Sequence, residues 1–315
     1  LVTELWAGRG GSEPRYLTPL DDKLYFTVGD QGSNWLSNLC NPNRAQVTPT
    51  PEQIAAGDWS DYQGKILRIE LDGSIPDDNL IIDGVRSHVF SYGHRNPQGL
   101  VFGTDGTLYS AEHGPRTDDE VNLIEAGMNY GWPQVAGYPD DQMYAFENWA
   151  ASAPTRCSEL IDLVGPEVPD SVPVEDETSW THPNYTRPIQ TLFTVPNDYD
   201  FQTSGGATIA AGGLDIYTAT NGIPGWANSL MVTSLNRGGI YRMPLSTDGR
   251  MVVGGLFQEF KSTNRYRDLA IRPDGQAFYI ITDNTGNTLD DAGERTQELQ
   301  DPGVILEFSY MGTVP

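Results

Sequence analysis

Short runs of alternating hydrophobic and polar residues, separated by turn residues, dominate this sequence. An Asp-Asp or Asp-Gly turn leads directly into such a run at residues 21–25, 105–109 and 274–279. Alternation with a period of two is typical of β-strands that bury one face, and Gly, Pro and Asp mark the turns between them. The chain contains 34 Gly and 22 Pro, which favours many short strands over helices. The pattern predicts an all-β fold.

The strand pattern repeats at a long interval. Residues 64–69 resemble residues 238–243 at an offset of 174, and the Asp-Gly turn at 105 resembles the one at 274 at an offset of 169. About 170 residues correspond to four units of the roughly 40 to 45 residues that one four-stranded propeller blade needs. The repeat therefore predicts one β-propeller domain over residues 1–315, built of four-stranded antiparallel blades. An array of β-sandwiches is the alternative.

Two long segments interrupt this rhythm, at about residues 36–63 and 139–185, and the second is rich in Pro, Asp and Glu. Long loops in a compact domain are usually functional or disordered, so we expect insertions that build the walls of a pocket. The first insertion contains the helix predicted near Pro51–Ala56, because Thr50 can cap it and Pro51 suits its first position.

The amino-acid composition of the chain narrows the range of its possible binding partners and locations. The 19 Lys and Arg against 43 Asp and Glu give a net charge of −24, which disfavours binding to nucleic acids or anionic lipid. No apolar run approaches the ~18 residues of a membrane-spanning helix. Cys40 and Cys157 lack the paired spacing of zinc sites and are either a disulfide or two unrelated thiols; a bridge would suit an exported protein.

Clustered arginine and amide side chains are the first candidate chemistry. Arg95 and Asn96 lie in the segment 93–99, between two predicted strands, and Arg265 and Arg267 take the equivalent place in the second repeat. A planar guanidinium beside an amide suits a carboxylate or a quinone oxygen. The three arginines therefore predict an anion site, and the alternative is that they only fix loops between blades.

Oxygen-rich turns are the second candidate. Residues 112–120 combine a Gly-Pro turn with several acidic side chains, and residues 136–141 are similar. Ca²⁺ takes six to eight oxygen ligands, backbone carbonyls included, so either turn could hold it; an ordinary solvated loop is the alternative. The sequence has no His-x-x-x-His pair, Gly-x-Ser-x-Gly elbow or P-loop, which disfavours zinc, hydrolase and nucleotide sites.

Four motifs in order, spread over nearly the whole chain, resemble one family: the PQQ-dependent glucose/sorbosone dehydrogenases, which are six-bladed propellers. The motifs are Tyr-Phe-Thr-Val-Gly-Asp-Gln-Gly at 25–32, Gly-His-Arg-Asn-Pro-Gln-Gly at 93–99, Asn-Tyr-Gly-Trp-Pro at 129–133 and Asn-Arg-Tyr-Arg-Asp at 264–268. The resemblance implies oxidation of an aldose at C1 to the lactone, with hydride passing to PQQ, a Ca²⁺ holding that cofactor, and electrons leaving to an external acceptor. It also implies a secreted or periplasmic location, and it leaves a homodimer open.

The resemblance assigns roles to residues of this sequence. Arg95 and Asn96 would contact the quinone, with Arg95 also stabilising the reduced cofactor, and Asp30 would orient the catalytic base. The remaining implied cofactor contacts are Arg265 and Arg267 with the PQQ carboxylates, and Thr208. The implied calcium ligands are the carbonyls of Gly114 and Pro115 beside the cofactor, and at a second, structural site the carbonyls of Ala136 and Tyr138 with Asp140 and Glu177.

The chain departs from the family pattern at several positions. The stretch at 8–15 lacks the family's catalytic His, and Glu13 is the candidate replacement. Trp35 stands where the family has a substrate-contacting Gln, and Asn236 where it has a cofactor-contacting Lys. About the first quarter of a family member has no counterpart in this chain. These departures keep open a catalytically impaired extracellular scaffold or carbohydrate-binding protein, and, as a third hypothesis, a calcium-dependent lactonase-type propeller.

Overall fold

The computed structural model describes residues 17–34, 36–161, 168–201 and 206–312. The strands in chain order are β1 (Leu17–Leu20), β2 (Lys23–Val28), β3 (Lys65–Glu70), β4 (Ile81–Ile82), β5 (Val85–Arg86), β6 (Val89–Tyr92), β7 (Pro97–Phe102), β8 (Leu108–Glu112), β9 (Asp119–Ile124), β10 (Phe146–Glu147), β11 (Val174–Glu175), β12 (Gln190–Leu192), β13 (Ala211–Tyr217), β14 (Ser229–Ser234), β15 (Ile240–Pro244), β16 (Phe257–Glu259), β17 (Tyr266–Ile271), β18 (Ala277–Thr282), β19 (Thr288–Leu289), β20 (Arg295–Thr296) and β21 (Ile305–Ser309). Two short helices, α1 (Pro51–Ala56) and α2 (Cys157–Leu160), accompany them.

The chain divides into two compact units. Unit 1 comprises residues up to 97, Glu125–Arg187 and Pro196–Asp198, and unit 2 comprises Gln98–Ile124, Pro188–Val195 and the residues from Tyr199 onward. That the whole chain is one domain stays a prediction.

Unit 1 is built on one four-stranded antiparallel sheet of order β1-β2-β3-β6. Its core side chains include Phe26, Leu67 and Val89 from the strands and Tyr62 from the segment before β3. The alternation predicted for the strand at 21–25 thus belongs to β2, one face of which packs in this core.

Unit 2 contains two four-stranded sheets, β7-β8-β9-β12 and β13-β14-β15-β16, and a three-stranded sheet, β17-β18-β21. The first strands of these sheets approach one another closely. A Cβ at Gly99 would lie 2.4 Å from the Leu214 Cβ, and one at Gly212 would lie 2.8 Å from the Arg267 carbonyl oxygen, so only glycine fits at either position. The strands β7 and β13, and likewise β13 and β17, therefore pack directly against each other.

The predicted fold class, an all-β propeller, is confirmed: the described chain is nearly all sheet, and its main sheets are three antiparallel ones of four strands and one of three. The three Asp-Asp or Asp-Gly turns each join the first and second strands of a sheet, at β1–β2, β7–β8 and β17–β18. The two repeated segments at 64–69 and 238–243 cover β3 and β15, each the third strand of its sheet. The sequence repeat thus marks equivalent places in sheets that are two apart along the chain. The offset of 174 residues spans two sheets and not the four blade units that its length predicted, because long connections lie between the strands.

The segments predicted as insertions contact each other within unit 1, and that they are insertions into a propeller stays a prediction. A disulfide joins Cys40 to Cys157, which settles the alternative that the sequence left open. Cys157 also packs in a buried cluster with Leu39 and Trp149. The predicted helix is confirmed as α1, where Thr50 and Gln53 form a reciprocal capping box.

Candidate functional site

Arg265 and Arg267, at the start of β17, converge on one carboxylate. The Asp283 side chain accepts two hydrogen bonds from Arg267, Nε to Oδ1 at 2.9 Å and Nη2 to Oδ2 at 2.8 Å, and a third from Arg265 Nε at 3.2 Å. Arg265 also donates through Nη1 to the carbonyl oxygens of Leu235 and Asn287. Because Arg is planar and donates in fixed directions, these contacts fix the orientation of both guanidinium groups.

The turn at 206–210 lies beside the segment 234–237. Asn236 Nδ2 and Arg237 Nε donate to the Thr208 carbonyl at 3.4 and 3.0 Å, and Arg237 Nη2 donates to the Gly206 carbonyl at 2.8 Å. The Arg237 guanidinium also lies 4.3 Å from the centre of the Phe193 ring. Since Arg265 bonds to Leu235, the structure brings Thr208, Asn236 and Arg265 together.

A buried carboxylate joins this turn to the Gly-Pro turn at 114–115. Asp119 Oδ1 accepts the Gly114 amide at 2.8 Å. Asp119 Oδ2 accepts the Thr208 hydroxyl at 2.6 Å and the amides of Ile209 and Ala210 at 2.7 and 3.0 Å. One side chain therefore fixes two turns that both carry predicted cofactor-site residues.

The Gly114 turn is rich in backbone oxygen atoms. A Cβ at Gly114 would lie 2.0 Å from the Thr117 carbonyl oxygen and 2.6 Å from that of Asp118, so no other residue fits. The Gly114 carbonyl lies 2.8 Å from His113 Nδ1, which leaves one of its two lone pairs for another partner. Pro115 is half-buried beside it. Such a turn fits a calcium ion, which prefers carbonyl and carboxylate oxygen ligands.

In unit 1, Asp30 is buried among neutral donors. Its carboxylate accepts the Trp132 indole N–H at 2.7 Å, the Asn43 amide at 3.0 Å and the Gly32 backbone amide at 2.8 Å. Burial raises the pKa of the Asp30 carboxyl, although the positive charge of Arg95 and the three donors oppose the shift.

Arg95 and Asn96 are half-buried at the end of the segment before β7. The Arg95 guanidinium lies 5.4 Å from the centre of the Trp132 ring, and its backbone carbonyl accepts the Asp30 amide at 2.8 Å. A Cβ at Gly29 would lie 3.4 Å from the Asn96 side-chain oxygen, so this segment packs directly against the Gly-Asp-Gln-Gly motif. Whether Arg95 forms one anion site with Arg265 and Arg267 stays a prediction.

The four residues of the predicted second calcium site also lie together in unit 1. Glu177 Oε1 accepts the Ala136 amide at 2.8 Å, and its Oε2 accepts the Asp141 amide at 3.1 Å. The turn between them carries Tyr138 and Asp140. Glu177 is fully buried, and burial raises its pKa to about 8. A cation at this place would compensate the buried charge, so the donor set fits calcium.

Sequence reasoning missed three residues that organise these sites: Asp119, Trp132 as a donor to Asp30, and Asp283. Asp119 was recognised only as part of an acidic run, and Asp283 is 16 residues from its nearer arginine.

Glu13 and Trp35 lie outside the described residues. Among the side chains that the structure describes, no group of three or more His, Cys, Asp and Glu is placed to hold a metal, so the candidate calcium sites depend on backbone carbonyls. No helix in the described ranges is long and apolar enough to cross a membrane.

A known protein family matches most of this chain. The family described as glucose/sorbosone dehydrogenase matches residues 10–151 and 187–290. The chain is 44% identical to quinoprotein glucose dehydrogenase B of Acinetobacter calcoaceticus, over 98% of this chain and 66% of that protein.

Solved structures show the same fold. The apo-form of the soluble aldose sugar dehydrogenase of Escherichia coli matches with a TM-score of 0.55 and 23% identity, over 87% of this chain and 62% of that one. The PQQ-bound aldose sugar dehydrogenase of Streptomyces coelicolor matches with a TM-score of 0.52 and 22% identity, over 90% and 57%. The chain thus spans less than two thirds of the length of these three relatives. By the extent of the family match and the identity to its curated relative, this chain belongs to the glucose/sorbosone dehydrogenase family.

Proposed function

We propose that the protein oxidises an aldose sugar at C1 to the lactone, using PQQ and Ca²⁺ and passing the electrons to an external acceptor. The observation that carries the proposal is a series of contacts in unit 2. Hydrogen bonds join Gly114 to Asp119 and Asp119 to Thr208. The segment 235–236 bonds to both Thr208 and Arg265, and Asp283 joins Arg265 to Arg267. This series gathers into unit 2 several of the residues that the family resemblance assigns to the cofactor and its calcium, while Arg95 and Asn96 belong to unit 1.

The arginines supply the charge for a cofactor that carries carboxylates. Arg265 and Arg267 share the single carboxylate of Asp283, so together they keep about one positive charge in excess. Both guanidinium groups are already oriented before any ligand arrives, which lowers the entropic cost of binding. Bound PQQ would act as the acceptor of the hydride from the sugar.

The oxygen-rich turns would hold calcium. The carbonyls of Gly114 and Pro115 are the candidate ligands beside the cofactor, and those of Ala136 and Tyr138, with Asp140 and Glu177, are the candidates at the structural site. Thr208 would contact the cofactor as an acceptor, because its hydroxyl hydrogen is committed to Asp119.

In unit 1, Arg95 and Asn96 are the proposed contacts of the quinone, and Arg95 would stabilise negative charge on the reduced cofactor. Asp30 is the proposed positioning carboxylate for the base that takes the proton of the sugar hydroxyl. Three neutral donors hold it in one orientation. The disulfide between Cys40 and Cys157 supports a secreted or periplasmic location, because such bonds persist in oxidising compartments.

The test is calorimetric titration of the Ca²⁺-loaded protein with PQQ, followed by addition of glucose and a dye acceptor. We expect PQQ binding and sugar-dependent reduction of the dye. Arg267→Ala should weaken PQQ binding at least about tenfold, the loss of one charge-assisted contact of 1.4 kcal/mol or more. Arg272→Ala is the matched control, because Arg272 is exposed and pairs with Asp274. No PQQ binding by the unmodified protein would refute the proposal.

A second candidate is a calcium-stabilised extracellular scaffold or carbohydrate-binding protein without redox activity. It is favoured by the sequence at 8–15, which has no histidine, and by Asn236 in place of a cationic contact. This candidate predicts that Ca²⁺ raises the melting temperature while PQQ produces no heat. If glucose alone then binds, the carbohydrate-binding version is supported.

A further inference from the structure

The Asp119 carboxylate is completely buried, yet its close partners are four uncharged donors. Three of the four, the Thr208 hydroxyl and the amides of Ile209 and Ala210, come from residues 89 to 91 positions away in sequence. The fourth is the Gly114 amide, which approaches the other carboxylate oxygen. The His113 ring nitrogen Nδ1 lies 3.6 Å from Oδ1 of this carboxylate. A buried charge satisfied in this way is costly to disturb, because each donor would lose its acceptor.

The donors divide between two turns of the chain. The amide of Gly114 fixes the turn whose carbonyls are the candidate calcium ligands, and the three other donors fix the turn that carries Thr208. A shift of either turn therefore has to move or strain the same carboxylate. Rigid elements that share a buried hydrogen-bonded group are the physical requirement for coupling between two binding sites.

The opposite side of the Thr208 turn is fixed as well. Ser234 Oγ donates to the Ile209 carbonyl at 2.7 Å, and the Asn236 amide donates to the same carbonyl at 3.1 Å. Because these hydrogen bonds fix the other side of the turn, the turn cannot readily shift on ligand binding without also moving Asp119.

We propose that Asp119 is a positioning residue that couples calcium binding at the Gly114 turn to PQQ binding at the Thr208 turn. The proposal rests on the proposed function for the identity of the two ligands, and on the four hydrogen bonds for the coupling. Asp119 contacts neither ligand in this proposal; it acts through the backbone of the two turns.

The test is Asp119→Asn, a change of nearly constant shape. A carboxamide has one acceptor oxygen instead of two, and its NH₂ group would face one of the donors. Residues that orient metal ligands typically change metal affinity about 10- to 100-fold when they are replaced. We therefore expect calorimetry to show at least about tenfold weaker Ca²⁺ binding without PQQ, and a similar loss for PQQ at saturating Ca²⁺. Heat from the other candidate calcium site is common to all variants and cancels in the comparison.

Asp215→Asn is the matched control. Asp215 is also a carboxylate of unit 2, lies on β13 and accepts two backbone amides, from Ile216 at 2.7 Å and Ile271 at 3.2 Å. Its replacement should lower the melting temperature without changing either affinity, which separates positioning from general destabilisation.

The outcomes are distinct. If the unmodified protein binds neither ligand, the proposed function fails and the coupling with it. If the unmodified protein binds both and Asp119→Asn binds both equally well, or loses only one of them, the coupling alone is refuted. If Asp119→Asn fails to fold, Thr208→Val is the test, because it removes one hydrogen-bond donor from Asp119. Weaker Ca²⁺ binding by this variant in the absence of PQQ supports the coupling. An effect confined to PQQ binding overturns it.

Discussion

The disulfide between the two insertions allows a quantitative prediction. Replacing both Cys40 and Cys157 by Ala opens a covalent loop with a sequence separation of 117 residues. In the chain-entropy treatment, a loop of this length restricts the unfolded chain by about 5 kcal/mol, and measured values are usually about 2 to 4. The loss of packing in the cluster with Leu39, Trp149 and Leu160 adds little, because Ala keeps the Cβ of each cysteine.

Loss of the disulfide should also affect the candidate site around Asp30. Asn43 lies three residues after Cys40 and donates to Asp30, so greater freedom of the first insertion loosens one of the three donors that hold this carboxylate. We expect the double variant to unfold at lower denaturant concentration, with a loss of at least about 2 kcal/mol in the free energy of unfolding. Faster hydrogen exchange should accompany the loss and be concentrated in the segments around Cys40 and α2.

Equilibrium denaturation followed by tryptophan emission is the assay, since Trp149 lies in the cluster beside the bridge. Ser158→Ala, at an exposed neighbour of Cys157, is the control and should unfold like the unmodified protein. The reduced unmodified protein should behave like the double variant. A double variant within about 0.5 kcal/mol of the control would refute the reasoning, because the bridge would then restrict little of the unfolded chain.

Three further predictions concern single side chains. Burial lowers the pKa of Lys65 to about 7, so the folded protein binds fewer protons than the unfolded chain between pH 7 and 10.5. The free energy of unfolding should therefore rise with pH over this range, by up to ~1.4 kcal/mol per pH unit. Lys65→Met should remove this rise in a series of denaturation measurements at different pH. Gly114→Ala should abolish Ca²⁺ binding at that turn in calorimetry, because the new methyl group would collide with the Thr117 carbonyl, and unchanged affinity would contradict the geometry. Trp132→Phe removes a donor that lowers the pKa of Asp30, so the acid limb of the pH profile of dye reduction should move to higher pH; an unmoved profile would exclude a role for this donor.

Local features of the fold could be predicted from the sequence because their causes are local. Thr50 caps α1 through a residue three positions away, and each Asp-Gly turn joins two strands that are neighbours in sequence. The repeat between residues 64–69 and 238–243 survives because the third strand of a blade needs the same alternation in each copy. No comparable local rule tells whether two cysteines far apart in sequence come together, so the bridge between Cys40 and Cys157 could only be left as one of two alternatives.

The candidate site was predictable to the extent that a motif carries it. The segments 93–99 and 264–268 identified Arg95, Arg265 and Arg267 as candidates. The groups that orient such residues have no motif of their own. Asp119 gains its role from donors about 90 residues away, and its meaning depends on two turns folding against each other.

The distribution of charge explains how an acidic chain can present an anion site. At a net charge of −24, the chain has far fewer cationic than acidic side chains. If every buried carboxylate were paired with an arginine, no arginine would be left to bind a ligand. The structure satisfies Asp119 with amides and a hydroxyl, and Asp30 largely with an indole, a side-chain amide and a backbone amide. Neutral donors stabilise a buried carboxylate without neutralising a cation, because each contributes a dipole and no net charge. Among the described ion pairs, Arg265 and Arg267 share the single carboxylate of Asp283, so these two side chains keep a local positive excess within a negatively charged chain, which is the condition that a carboxylate-bearing cofactor requires.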